Sequence, residues 1–122
     1  MLVYRVEHPD DGIGPFCTTD NDDNYRPHAI YNDEVMCHSN EDYFTYAFPS
    51  PREEGIPWGK GWNCGCQTRD LVVYWFGGLF DRMNELGYHL VTYEVVKDYR
   101  LGEKQTTFRR EHATEVAREW LF

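Results

Sequence analysis

Leu2 to His8 alternates with a period of two, setting Leu2, Tyr4, Val6 and His8 on one face of a strand and Val3, Arg5 and Glu7 on the other. Pro9 ends that strand because it cannot donate to a ladder, and Asp10 to Pro15 (DDGIGP) has the chemistry of a turn. Phe16 to Gly61 carries no sustained period and is punctuated by Pro27, Pro49, Pro51 and Pro57; short strands or helical turns are expected within it. Thr68 then opens the clearest helix. Its hydroxyl can cap free amides, Asp70 suits the positive helix end, and Leu71, Val72, Trp75, Phe76, Leu79, Phe80, Met83 and Leu86 form a broad apolar face that Gly87 stops. The Gly77-Gly78 pair inside that span predicts a kink or two short helices. Tyr88 to Val96 reads as a strand, Gly102 as a turn pairing it with a second strand at Lys104 to Phe108, and Glu111 to Leu121 as a short helix, from the spacing of Ala113, Val116, Ala117, Trp120 and Leu121. The class expected is α+β: one small domain, an antiparallel sheet with a central, kinked helix and a short C-terminal helix.

With 122 residues, the chain is expected to form a single domain, residues 1–54 acidic and irregular, residues 55–122 running helix, strand, strand, helix. The whole net charge of −9 sits in the first part, where 12 acidic side chains face 3 basic ones; the rest carries 9 of each sign. This balance disfavours direct nucleic-acid and anionic-membrane binding and favours a basic protein surface as partner. Aromatic residues make up 16% of the chain, enough for a few of them to build a small core. No apolar run approaches the roughly 18 residues that span a bilayer. Arg5, Glu7 and His8 interrupt the N-terminus before a signal-peptide core could form, so a cytoplasmic protein is expected.

Candidate chemistry is sparse. Cys17, Cys37, Cys64 and Cys66 could form disulfides, bind zinc or pack as thiols. Cys-x-Cys is not the usual zinc knuckle and no secretion signal is present, so core thiols and no metal are expected. Asp20-Asn21-Asp22-Asp23-Asn24 begins like a calcium loop, then has Tyr25 where glycine and Tyr31 where a bidentate glutamate belong, and reads as a solvated acidic loop. Gly12-Ile13-Gly14 lacks the third glycine of a phosphate loop and reads as a turn. Nothing argues for a serine or cysteine hydrolase.

A dispersed pattern remains: Tyr4-Arg5-Val6-Glu7-His8-Pro9 with Gly14-Pro15-Phe16, Cys64-Gly65-Cys66 before the Thr68 helix, and Gly102, Gln105 and Phe108 in a G-x-x-Q-x-x-F ending. It resembles a group of small phage and bacterial proteins with YRVEHP…GPF openings, which in turn look like a minimal ADP-ribosyltransferase fold. That resemblance implies NAD as cofactor, Arg5 and Gln105 as catalytic positions, and Arg5, His8, Thr68 and Tyr74 as NAD-binding positions, with Tyr74 or Trp62 stacking on nicotinamide. Arginine can hold a pyrophosphate through paired charge-assisted bonds, and a hydroxyl can position a ribose. Gln105 departs from the family's late-strand glutamate and gives a cationic sugar no full negative charge.

Read residue by residue, Arg5 is expected to pair with an acidic loop residue, Thr68 to cap its helix, and Gln105 to face solvent. Two functions stand side by side: an ADP-ribosyltransferase-like protein modifying a host protein, or a non-catalytic anti-defence inhibitor whose acidic half docks on a basic host nucleic-acid-processing complex.

Overall fold

The computed structural model describes residues 1–15, 29–30, 33, 51–58 and 61–121. The alternating N-terminal run forms strand β1 (Leu2–Glu7), followed by β2 (Asn63–Gly65), helix α1 (Arg69–Phe76), helix α2 (Phe80–Leu86), then β3 (His89–Val95), β4 (Tyr99–Leu101), β5 (Thr106–Phe108) and β6 (Ala113–Trp120). Two antiparallel sheets result, one ordered β1-β3-β6 and the other β2-β5-β4. Among the described residues they join at one β-bridge, where Tyr4 and Cys66 each donate an amide N–H to the other's carbonyl at 2.8 Å. Gly65 makes that approach possible: a Cβ there would overlap the Val3 side chain and lie 2.8 Å from the Tyr4 carbonyl oxygen.

The period-two pattern of β1 gives each face its own core. Val6 packs with Leu90 against the helices, among Val72, Trp75, Phe76, Phe80 and Met83. On the opposite face Val3, Val91, Tyr93 and Val95 pack against Phe108 of the second sheet. This is the small α+β domain with antiparallel sheets and a central helical segment that the pattern predicts.

The helix signals act as expected. The Thr68 hydroxyl accepts a bond from Leu71 N–H at 3.2 Å, and the glycine pair begins a short 3₁₀ turn, Gly77–Leu79, between α1 and α2. Gly87 ends α2 at φ 95°, in the left-handed region. Trp75 and Phe76 are buried.

Two expectations are corrected. Gly102 does turn a hairpin, but it pairs β4 with β5, because both edges of β3 are already occupied by β1 and β6. The expected C-terminal helix is strand β6. Its register on β3 shifts by one residue, Thr92 facing Ala117 and Tyr93 facing Glu115, so Val116 is the extra residue of a bulge. The bulge puts Glu115 and Arg118 on one face at a spacing of three, which mimics a helical period in a segment that is pleated.

Pieces of the acidic half are fastened to this frame. Ile30 is buried in the helical core, Asp33 takes three bonds from Arg82 at 2.6 to 3.2 Å, and Glu54 accepts the Lys104 and Gln105 amides at 2.6 and 3.1 Å. The calcium-like segment with Asp20, Asp22 and Asp23, and also Cys17 and Cys37, lie outside the described residues.

Truncating Trp75 to alanine is expected to cost about 3 to 5 kcal/mol, the range for a core aromatic. A urea midpoint shows it directly, and an unchanged midpoint would mean that the inward face of α1 is assigned wrongly.

Candidate functional site

The face of β1 that carries Arg5 also carries Glu7, and Glu7 is fully buried at 0% exposure. A carboxylate removed from water must find charged or hydrogen-bonding partners, and four elements supply them. Arg5 Nε, two residues back on β1, donates to Oε2 at 3.0 Å. Arg110, in the 3₁₀ turn Arg110–His112, donates from Nη2 to the same oxygen at 2.8 Å. Tyr93 of β3 donates its hydroxyl to Oε1 at 2.7 Å, and Arg118 of β6 adds a 3.2 Å bond from Nη2.

The partners are themselves held. Arg110 Nη1 donates to the Tyr93 hydroxyl oxygen at 2.6 Å, and its guanidinium carbon lies 5.3 Å from the centre of the Tyr93 ring. Arg118 also binds Glu115 across the bulge at 2.8 Å. The turn after β1 contributes the Gly12 carbonyl, which accepts from Arg5 Nη2 at 3.3 Å and Arg110 Nη2 at 2.8 Å. Gly12 itself sits at φ 68°, suited to glycine.

The electrostatics follow from this geometry. Burial pushes the Glu7 carboxyl up, but Arg110, Arg5 and Tyr93 together outweigh it and hold the group below its ordinary value. Burial, reinforced by the neighbouring Glu7 carboxylate, pushes the Tyr93 phenol up to about 12, so it stays a donor. The arrangement can keep a carboxylate ionised inside the protein and present two partly exposed arginines at its rim, Arg110 at 44% and Arg118 at 31%.

The positions drawn from the resemblance lie on several different elements. Arg5 is 8% exposed, and its three guanidinium nitrogens go to Glu7, to the Cys64 carbonyl at 2.7 Å and to Gly12. Its partner is a strand residue, Glu7, rather than the expected acidic loop residue. His8 points to the other face, where Nδ1 accepts from the Asp10 amide at 3.2 Å and Nε2 therefore donates to the Leu86 carbonyl at 2.8 Å. Thr68 is the exposed cap of α1.

Tyr74 is exposed beneath Lys104, whose ammonium stands 5.0 Å from the ring centre. Gln105 is buried at 1% exposure, against the expectation of a solvent-facing residue, because Glu54 and the Gly102 amide close the hairpin over its backbone. Trp62 stacks under Arg109 at 4.5 Å. Cys64 and Cys66 are thiols; burial, with Cys64 and Glu54 nearby, pushes the Cys66 thiol well up. Among the described residues no group of three or more His, Cys, Asp or Glu side chains could hold a metal ion.

Sequence reasoning placed Arg5 and Glu7 on one face but did not pair them, and it missed Tyr93, Arg110 and Arg118. The pairing signal was present in the strand alternation. The two distal arginines had no signal, since the bulge that aims Arg118 inward also hid its strand.

These features define a small α+β protein organised around a buried carboxylate and its arginines. Over residues 1–122 the chain matches the family model described as Bacteriophage T4 Y00F protein, and it belongs to that family of phage proteins. No curated protein and no solved structure matches it. Among the described residues no helix is long and apolar enough to cross a membrane.

Glu7→Ala is expected to destabilise the fold by about 3 to 5 kcal/mol, because it strands several guanidinium groups around one site. The pH dependence has a definite sign. Glu7 titrates lower in the folded chain than the 4.5 of an ordinary carboxyl, so its contribution is complete above that value and is lost as pH falls below it toward the folded value. Urea midpoints measured across the acid range should therefore drop more steeply for the natural protein than for Glu7→Gln; identical slopes would refute the buried-carboxylate assignment.

Proposed function

We propose that this phage protein is a non-catalytic binding protein whose acidic half docks on a basic surface of a host nucleic-acid-processing complex, as an anti-defence inhibitor working in the host cytoplasm. The observation that carries this reading is the state of Arg5. An arginine that is to clamp a pyrophosphate needs an accessible fork, whereas this one is buried and all three of its nitrogens are committed to protein acceptors. Gln105 is neutral, and its backbone is fixed by Glu54. Neither feature favours the ADP-ribosyl transfer to a host protein, with NAD as cofactor, that the sequence resemblance implies.

The charge distribution supports the choice of partner. Residues 1–54 hold 12 acidic against 3 basic side chains, and proteins that handle nucleic acid expose the complementary Lys and Arg surfaces. Three of those carboxylates, Glu7, Asp33 and Glu54, are turned to internal bonds. The Asp20, Asp22 and Asp23 cluster is assigned the role of steering encounter.

Capture of a basic host protein by the purified chain should weaken with salt, and neutralising Asp20, Asp22 and Asp23 together to Asn should slow association by about tenfold with little change in dissociation. Surface-plasmon kinetics measure both rates. An association rate that ignores salt and the triple substitution would remove the electrostatic reading, and NAD-dependent labelling of a host protein by the natural chain would restore the transferase.

A further inference from the structure

Beyond the second sheet's cover, the inner face of the first sheet ends in a patch that lies outside both core clusters. Register places Trp120 opposite His89 and Arg118 opposite Val91, so Arg118 and Trp120 share that face two residues apart on β6, roughly 7 Å along the strand. Trp120 is 62% exposed; the His89 ring lies 4.4 Å away, tilted by 42°, and leaves much of the indole open. Arg118 binds Glu7 through Nη2, and Arg110 binds the other oxygen of the same carboxylate through its own Nη2, so the two rim guanidinium groups meet at one carboxylate on the face that carries Trp120. Arg118 Nη1 and Arg110 Nε donate to no group among the described residues, so each arginine keeps N–H donors for a ligand.

Among the described residues of this cluster, cations outnumber carboxylates. Arg5, Arg110 and Arg118 face Glu7 and Glu115, which leaves one positive charge in excess. Burial first, then Arg118 and His8, hold the His89 imidazole below its ordinary value.

We propose that Trp120, Arg118 and Arg110 form a binding site for a nucleoside phosphate, with the base on the open face of the indole and the phosphate on the two arginines. An exposed indole beside oriented guanidinium groups offers a planar π surface and a charge-assisted anion site in one place, the two features a nucleotide presents. Neither half suffices alone. A bare anion must compete with Glu7 and Glu115 for the same guanidinium groups, and a bare nucleoside leaves the spare donors to water. A mononucleotide is favoured over a nucleic-acid strand because a net charge of −9 repels a chain of phosphates. The proposal does not depend on a protein partner.

Isothermal titration of the full chain with the four common nucleoside monophosphates, with adenosine and with inorganic phosphate tests this. At least one monophosphate should bind about tenfold or more tightly than either adenosine or phosphate, since a stacked base commonly contributes a factor of that order. Trp120→Ala, at an exposed position, should keep the melting temperature and lose about tenfold in affinity, while Trp120→Phe should largely restore it. Arg118→Lys should weaken the nucleotide and leave adenosine unaffected. No monophosphate binding, binding no tighter than inorganic phosphate, or affinity unchanged in Trp120→Ala would each overturn the proposal.

Discussion

A carboxylate with no exposure to water governs this structure. Glu7 can remain ionised in the interior only while arginines and a phenol surround it, and these come from parts of the chain 2, 86, 103 and 111 residues away. The requirement reaches into local geometry. It uses the alternation of β1, the positive φ of Gly12 whose carbonyl holds two of the arginines, the 3₁₀ turn before β6, and the bulge at Val116 that turns Arg118 inward. Replacing such a network by apolar side chains need not weaken a protein, but removing one member alone is costly. Its main consequence is therefore positional: it fixes the first strand against the last.

The same constraint decides what Arg5 can do. In the sequence, an arginine on a first strand invites a reading as an anion clamp. In the folded chain its nitrogens are spent on Glu7, Cys64 and Gly12, which makes it a positioning residue for the carboxylate. Among the described residues around Glu7, the partly exposed cations are Arg110 and Arg118 at the rim. The inner arginine builds, and the outer two remain available.

What was legible in the sequence was local. Thr68, the glycine pair and Gly87 each act through a neighbour within a few residues, so start, kink and stop of the helical segment could be read directly. The strand β1 was equally plain because its two faces are both buried by different cores. Long-range choices were not legible. Which strand takes the Gly102 hairpin depends on β3 being saturated on both edges, and β6 was disguised by one extra residue that converts a period of two into a spacing of three. The cluster around Glu7 was hidden in the same way, since Arg110 and Arg118 acquire meaning only when β6 lies beside β3, two strands from Glu7.

The most direct test of this account is a ¹³C NMR titration of the Glu7 side-chain carboxyl in the intact protein. The account requires the signal of an ionised carboxylate to persist below the ordinary midpoint of 4.5, as long as the protein stays folded. A midpoint at or above that value would mean that burial outweighs the arginines, and would contradict the claim that Arg5, Tyr93, Arg110 and Arg118 are organised around a buried negative charge.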